Sequence, residues 1–348
     1  MSGPAASGTG AAPARAAWDS TPSRRVVPGA ATTLALLALV PALAATLLRL
    51  VGPTDDTWAL AASFVPYGQL GYPLALVLLL VALVRARRRR VLGVLALVVV
   101  ALSGLHLAWT LPLFVPDHRP VVGPSFTVLS QNVQNGGIDV AELTAVARDV
   151  DVVVLLETTP GFVRALQSPA WEAEFPYALG DVSGPQANTS VYSRFPLSQS
   201  RDYGHDAFTQ WVTTVSVPGR APVRLVAAHP CNPYCGRGLF AADHAALEQT
   251  VRANLGSPLV VAGDLNAVDD HAPLVRLRAD GMRSATDLVG AGWVPTYPAD
   301  RAFPPLFGID HVLVNAQLTA TSQRTVSLAG TDHLGLVVTI AGTRPSGS

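Results

Sequence analysis

The sequence predicts a membrane-anchored α/β protein: a sheet-on-sheet core covered by helices, preceded by three transmembrane helices. Three observations carry this expectation. Only 14% of the 348 residues are charged and 49% are hydrophobic, whereas about a quarter of residues are charged in soluble globular domains. Three uncharged stretches of membrane-crossing length lie before residue 117. Beyond them, short β-branched runs mix with helical spacing, without the strict alternation of a doubly wound parallel sheet.

Taken in order, residues 1–25 are Ala, Gly, Ser, Pro and Thr with scattered charge. That composition cannot bury a core and reads as a disordered tail. Residues 26–48, 57–84 and 91–116 follow, each reaching the roughly 20 apolar residues that cross a hydrocarbon core of about 30 Å. The middle stretch contains Pro66, Gly68, Gly71 and Pro73, so its span is expected to start near Tyr72 or to break there. Arg24 and Arg25 precede the first stretch, and five arginines between 85 and 90 separate the second from the third; the loop between the first two carries Asp55 and Asp56. Cytoplasmic loops collect positive charge, which places the tail inside the cell membrane and everything beyond about residue 117 outside it. A linker is expected over 117–123, a globular domain over 124–341 and a short tail over 342–348.

In the globular half, 126–130, 152–156, 189–192, 213–217, 223–228, 259–262, 311–314 and 336–340 read as strands. Residues 140–148 and 239–255 have helical spacing. Charge divides the chain in the same place. Residues 1–123 hold ten Arg and four acids; the remainder holds 14 Arg and 20 acids. A negative second half lacks the basic stripe of a non-specific nucleic-acid binder. The chain has no Lys, which excludes Schiff-base and phosphate-loop lysine chemistry. Three spans with a single His106 offer no ionic pathway for a transporter.

Polar residues stand at the ends of the apolar runs. Glu157 closes Val-Val-Val-Leu-Leu, His229 follows Leu-Val-Ala-Ala, and Asp264 and Asn266 follow Leu-Val-Val-Ala-Gly. Asp310 and His311 precede Val-Leu-Val, while Asp332 and His333 precede Leu-Gly-Leu-Val-Val. Acid, imidazole and carboxamide groups at strand ends can converge at one edge of a sandwich.

These segments resemble the endonuclease/exonuclease/phosphatase superfamily. The likeness is carried in order by Ser-Gln-Asn132-Val-Gln, Leu-Leu-Glu157-Thr, Tyr-Ser-Arg194-Phe-Pro-Leu, Ala-His229-Pro-Cys-Asn232-Pro, Gly-Asp264-Leu-Asn266-Ala, Ile-Asp310-His-Val and Thr-Asp332-His333-Leu-Gly. It implies a DNase I-like four-layer αββα sandwich with its site at one end of the two sheets. It implies phosphoester hydrolysis with Mg²⁺ or Mn²⁺, for which an ionised carboxylate is a suitable hard donor. By that resemblance Glu157 is the metal ligand, Asn132 supports the metal and the nearby Asp, and Asp332 stands on the metal side. Many relatives carry an acid where this chain has Gln134, which favours a single metal. Asp310 and His333 resemble the family's carboxylate–imidazole pair, Asp264 a water activator or leaving-group acid, and Asn266, His229 and Asn232 the groups that contact phosphoryl oxygens. His311 adjoins the site in sequence but should face away from Asp310 in an extended segment.

Cys231 and Cys235 are the only cysteines. With His229 they lack a fourth zinc ligand, and an external location favours a disulfide over free thiols. Three readings of function stay open. One is a membrane-anchored hydrolase of a lipid-linked phosphate; the layout of three spans and an outward domain resembles the VanJ-type teicoplanin-resistance proteins, implying an undecaprenyl-pyrophosphate-like substrate. The others are an anchored nuclease, with Arg194, Arg237 and Arg301 as contacts, and an inactive scaffold, against which the retained Glu157, Asp264, Asn266, Asp310 and His333 argue.

Overall fold

The computed structural model describes residues 23–85, 89–180, 188–204 and 208–343. Most of the tail expected over 1–25, most of that over 342–348 and the centre of the arginine cluster lie outside these residues. Five helices come first: α1 (Ser23–Val51), α2 (Asp56–Ala62), α3 (Val65–Gly68), α4 (Gly71–Arg85) and α5 (Arg89–Thr110). Three stretches, Gly29–Val51, Val65–Val84 and Arg89–Leu113, are long and apolar enough to cross a membrane. Their inner faces meet through Ala35, Leu39, Tyr72, Leu79 and Val99, while Leu36, Leu47, Val77, Leu80 and Leu97 are exposed. A buried polar knot ties the three together. Thr46 Oγ1 lies 2.9 Å from His106 Nε2 and also bonds the Tyr72 hydroxyl.

The middle stretch breaks twice, at 63–64 and at 69–70, where Pro66 opens α3 and Gly68 closes it. Proline lacks the amide hydrogen a continuing helix needs, and glycine costs backbone entropy. The freed α2 packs onto the globular half instead. Ala59 is wholly buried in that half's core, and its carbonyl accepts from His271 Nε2 at 2.7 Å. Two further ties fasten the regions: Arg49 donates to the Asp269 carbonyl at 2.8 Å, and the Tyr67 hydroxyl to the Leu306 carbonyl at 2.7 Å.

Twelve strands follow: β1 (Val121–Asn132), β2 (Val152–Thr158), β3 (Tyr177–Leu179), β4 (Asn188–Ser193), β5 (Leu197–Asp202), β6 (Trp211–Val215), β7 (Val223–Ala228), β8 (Leu259–Asp264), β9 (Arg283–Ser284), β10 (Asp310–Val314), β11 (Leu318–Val326) and β12 (Gly335–Thr343). They form two six-stranded sheets, ordered β11-β12-β1-β2-β4-β3 and β5-β6-β7-β8-β10-β9. Alternation along β2 builds the layers. Val152, Val154 and Leu156 face the second sheet's Leu225, Val260 and Val312 in the inner core. Val153 and Leu155 face outward, against Leu143 of α6 (Val140–Ala147), Phe162 of α7 (Pro160–Leu166) and Trp171 of α8 (Pro169–Glu174). On the far side Val226, Val261 and Leu313 pack against Phe240 and Leu247 of α9 (Leu239–Asn254) and Leu274 of α10 (Ala272–Ala279). Ala285 and Leu288 of the short α11 (Ala285–Val289) join the inner core. Strands buried on both faces read as continuous apolar runs, as these do. The fold is therefore a four-layer αββα sandwich of the DNase I-like kind.

Topology gathers the strand ends. β1 runs parallel to β2, and β7 parallel to β8, so Asn132, the end of β2, His229 and Asp264 come out at like-facing ends. β10 is antiparallel to β8 with Asp310 opposite Asp264, and β12 is antiparallel to β1 with Leu336 opposite Ser130. The starts of β10 and β12 thus reach the same end of the sandwich.

That end tolerates little change. A Cβ on Gly263 would lie 1.8 Å from the Ala228 carbonyl oxygen, so β7 and β8 can close beside Asp264 only with glycine there. Gly263→Ala is expected to cost about 3 kcal/mol, the upper end for overpacking, and to lower the thermal midpoint of the purified protein by roughly 10 °C. An unchanged midpoint would contradict the contact.

His271, the tie to α2, makes a pH dependence. Its Nδ1 accepts from the Val268 amide at 2.8 Å while Nε2 donates to Ala59, a pattern only the neutral ring can make. Burial lowers its pKa from 6.5 to about 4. The unfolded chain therefore binds a proton that the folded chain refuses as pH falls below 6.5. Stability is full above that value and lost towards pH 4, by up to about 3 kcal/mol from this group. Buried His244, lowered to about 3, acts with the same sign. His271→Gln is expected to flatten part of the fall in thermal midpoint between pH 7 and 5.

Candidate active site

The gathered ends enclose a pocket of about 470 Å³ lined by Glu157, His229, Asn232, Asp264, Asn266, Asp332 and His333 among others. Asn132 and Asp310 stand just behind, each bonded to a lining group. The nine residues singled out from the sequence for catalysis, phosphate contact or metal support thus meet at one place.

Local backbone explains how Glu157 arrives there. Regular alternation would turn it outward with Val153 and Leu155. Instead the β2–β4 pairing slips between Leu155 and Thr158, and Glu157 adopts a left-handed conformation, φ 61°. A bulge of this kind re-aims a side chain at the cost of local strain, as functional sites do. Asn132 then braces it. Its Nδ2 donates to Glu157 Oε1 and to Asp264 Oδ2, both at 3.0 Å, while its Oδ1 accepts from the Gln134 amide at 2.9 Å. The second Glu157 oxygen accepts from the Asn135 amide at 3.1 Å. Asn132 therefore joins the two sheets across their common end.

His333 Nδ1 lies 2.9 Å from Asp310 Oδ2, and its Nε2 lies 3.7 Å from Asp264 and 3.8 Å from Asp332. Thr331 fixes the turn, donating to the Asn132 carbonyl at 2.8 Å and accepting from the His333 amide at 3.2 Å. Burial would drive the imidazole towards neutrality, but Asp310, Asp264 and Asp332 outweigh it and raise its pKa to about 10. His333 is an imidazolium at neutral pH. His229 is the opposite case. Burial lowers its pKa despite Asp264 and Glu157, and its ring stacks on Phe208 at 4.3 Å. Burial also raises the pKa of Asp264, partly opposed by His333, and that of Asp332.

Asp264, Asp310 and His333 offer donor atoms within 4.8 Å of one another. A protonated imidazole has no lone pair for a metal, and its Nδ1 is already bonded to Asp310, so this trio reads as an acid–base unit. Glu157 is the better donor for a hard dication: it is an oxygen ligand, partly open to the pocket, with Asp332 lining the same space. The donor set fits Mg²⁺ or Mn²⁺ in kind.

The loop that carries His229 and Asn232 is closed by a Cys231–Cys235 disulfide, Cα–Cα 6.0 Å. Asn266 donates from Nδ2 to the Pro230 carbonyl at 3.0 Å, which leaves its second amide hydrogen for a ligand. Asn232 Oδ1 accepts from the Tyr234 amide at 2.9 Å. His311 turns away, its Nε2 donating to the Ala267 carbonyl at 2.8 Å. No Arg lines the pocket among the described residues; Arg194 pairs with Glu174 and Arg301 with Asp300. Sequence reasoning missed Phe208, Tyr297 and Phe307 in the wall, and Leu60, Ser63 and Phe64 from the end of α2. Aromatic and aliphatic side chains carry no local sign of lining a site rather than a core.

Solved structures share this fold at low identity. An endonuclease/exonuclease/phosphatase from Beutenbergia cavernae DSM 12333 is similar at 18% identity and TM-score 0.50, over 66% of this chain and 74% of that one. Humanized D. rerio TDP2 is similar at 17% and 0.52, over 62% and 98%. The human Nocturnin catalytic domain, solved with a bound sulfate anion, is similar at 16% and 0.50, over 65% and 97%. No curated protein matches the chain. The Endonuclease/Exonuclease/phosphatase family profile matches residues 129–333, well over half of the sequence, and the chain belongs to that family.

Proposed function

We propose that this protein is a membrane-anchored, divalent-metal-dependent phosphoester hydrolase whose site faces the outside of the cell and whose substrate phosphate is borne by a membrane lipid. The observation that carries the reading is the pocket itself: a braced carboxylate, Glu157, and an imidazole that carboxylates hold charged, His333, line one cavity, one wall of which comes from the membrane region.

A cation held by Glu157, with Asp332 beside it, would supply Lewis-acid stabilisation of phosphoryl charge. The chain's own groups do the rest. His333 donates from Nε2 to a non-bridging oxygen and stays charged because Asp310 holds Nδ1. Asp264 takes the proton of the attacking water or returns one to the leaving oxygen, roles helped by a carboxyl whose pKa burial raises. Asn266 and Asn232 donate to the phosphoryl group, and neutral His229 borders it. Phe208 and Tyr297 restrict water around these groups.

The outward orientation is supported by the arginine clusters and by the disulfide, a bond that persists in oxidising surroundings. Protease added to sealed cells is expected to digest the globular domain; full protection would overturn the orientation. A pocket without Arg in a negative domain disfavours nucleic acid. A panel of lipid pyrophosphate, lipid monophosphate and plasmid DNA, each with Mg²⁺ or Mn²⁺ and with chelator, tests the rest. Turnover of the lipid substrates that chelator abolishes is expected. Cleavage of DNA alone would make the protein an anchored nuclease, the VanJ-like layout notwithstanding.

A further inference from the structure

The catalytic pocket is not made by the sandwich alone. Leu60, Ser63 and Phe64, where α2 ends and the broken middle stretch turns towards α3, form part of its wall. The wall is fastened in place. The Phe64 ring meets Phe307 edge-on at 5.3 Å, and the chain around Phe307 also carries Tyr297, whose ring lies 4.9 Å from that of His333. Phe64 has a second role. It also borders a cavity of about 290 Å³ between α1 and α3, lined by Pro41, Ala44, Leu48, Ala61 and Gly68. Among the described residues the only polar side chain there is Tyr67, and its hydroxyl is committed to the Leu306 carbonyl. Water would find no partners in such a space. Apart from the Phe64 and Tyr67 rings its lining is small or aliphatic, and Pro41 and Ala44 are exposed on the outside of the helix bundle.

We propose that this groove seats the hydrocarbon chain of the substrate: the phosphate lies at Glu157 and His333, and the chain leaves past Phe64 between α1 and α3. The proposal rests on the hydrolase reading above and adds a chain-binding site and a specificity-determining residue, Phe64. The physical gain is not hydrophobic transfer, because a lipid chain is already in an apolar medium. What the groove supplies is alignment. Fixing the first part of the chain fixes the phosphate against the catalytic groups, and orientation of this kind is worth orders of magnitude in rate when it is lost.

The test uses full-length protein in phosphatidylcholine nanodiscs with two substrates that share a head group, undecaprenyl diphosphate and geranyl diphosphate. The readout is the ratio of their kcat/KM values. Ala44→Phe and Ala44→Trp fill the groove from its exposed side, while Ala44→Ser keeps it open. Leu47→Phe places the same aromatic side chain at an exposed position of α1 outside the groove. The long-to-short ratio is expected to fall about tenfold in the two filled variants and to hold in Ala44→Ser and Leu47→Phe. Turnover of geranyl diphosphate reports that each variant has folded. A ratio unmoved by filling, or moved equally by Leu47→Phe, would mean that bulk lipid occupies the groove and would overturn the proposal. Wild type that cleaves neither diphosphate would defeat the lipid-phosphate reading itself, and the groove assignment with it.

Discussion

His333→Ala is expected to lower kcat/KM for a phosphoester by about a thousandfold, the middle of the range for loss of an acid–base group in the transition state. The group is buried, and three carboxylates hold it as a cation. The pocket has no Arg among its described lining residues, so no neighbouring side chain can replace that charge. Removal also leaves Asp310 buried, and its Oδ1 is already without a hydrogen-bond partner among the described residues. An uncompensated charge there is costly, so a fall in thermal midpoint should accompany the loss. His333→Gln keeps a donor without the charge and separates the two effects: its midpoint should recover more than its rate. Asp310→Asn should keep the fold and still lose rate, because the imidazole then loses the strongest of the three carboxylates that hold it charged. Steady-state kinetics with thermal melts decide the matter; rates within a fewfold of wild type in His333→Ala would remove this residue from the mechanism.

Glu157→Gln should have the second large effect. The substitution keeps the shape and one acceptor oxygen, so the bonds from Asn132 and the Asn135 amide can be made in part. What it removes is the anionic oxygen pair that a hard dication prefers. Calorimetric Mn²⁺ binding to the full-length protein is expected to weaken by at least tenfold, with turnover falling in parallel. Excess Mn²⁺ should restore part of the rate in Glu157→Gln and none in His333→Ala. Wild-type Mn²⁺ affinity in Glu157→Gln would move the metal elsewhere in the pocket.

Much of this was legible along the chain. The eight strands expected from apolar runs are all present, and β7 spans the expected 223–228. The strands that were missed have a common cause. β5 is exposed along most of its length and reads Leu-Ser-Gln-Ser-Arg-Asp; β11 has an exposed polar middle. Both stand at or next to sheet edges, where backbone pairing to one neighbour suffices and no apolar pattern is required. The helices α7, α8 and α11 are seven residues or shorter, too few turns for periodicity to declare itself.

The site divides in the same way. Residue types and their places at strand ends picked out Glu157, His229, Asp264, Asp310, His311 and His333, and the resemblance to the family gave them their expected roles, with His311 set aside because it should face away from Asp310. Composition and charge likewise determined the three apolar stretches and the contrast between the two halves. Only the tertiary structure decided that the middle stretch breaks and lends Phe64 to the candidate pocket, that a bulge turns Glu157 inward, and that three carboxylates charge one imidazole. Local chemistry is written residue by residue, whereas a pocket wall and an electric field are sums over neighbours that only folding brings together.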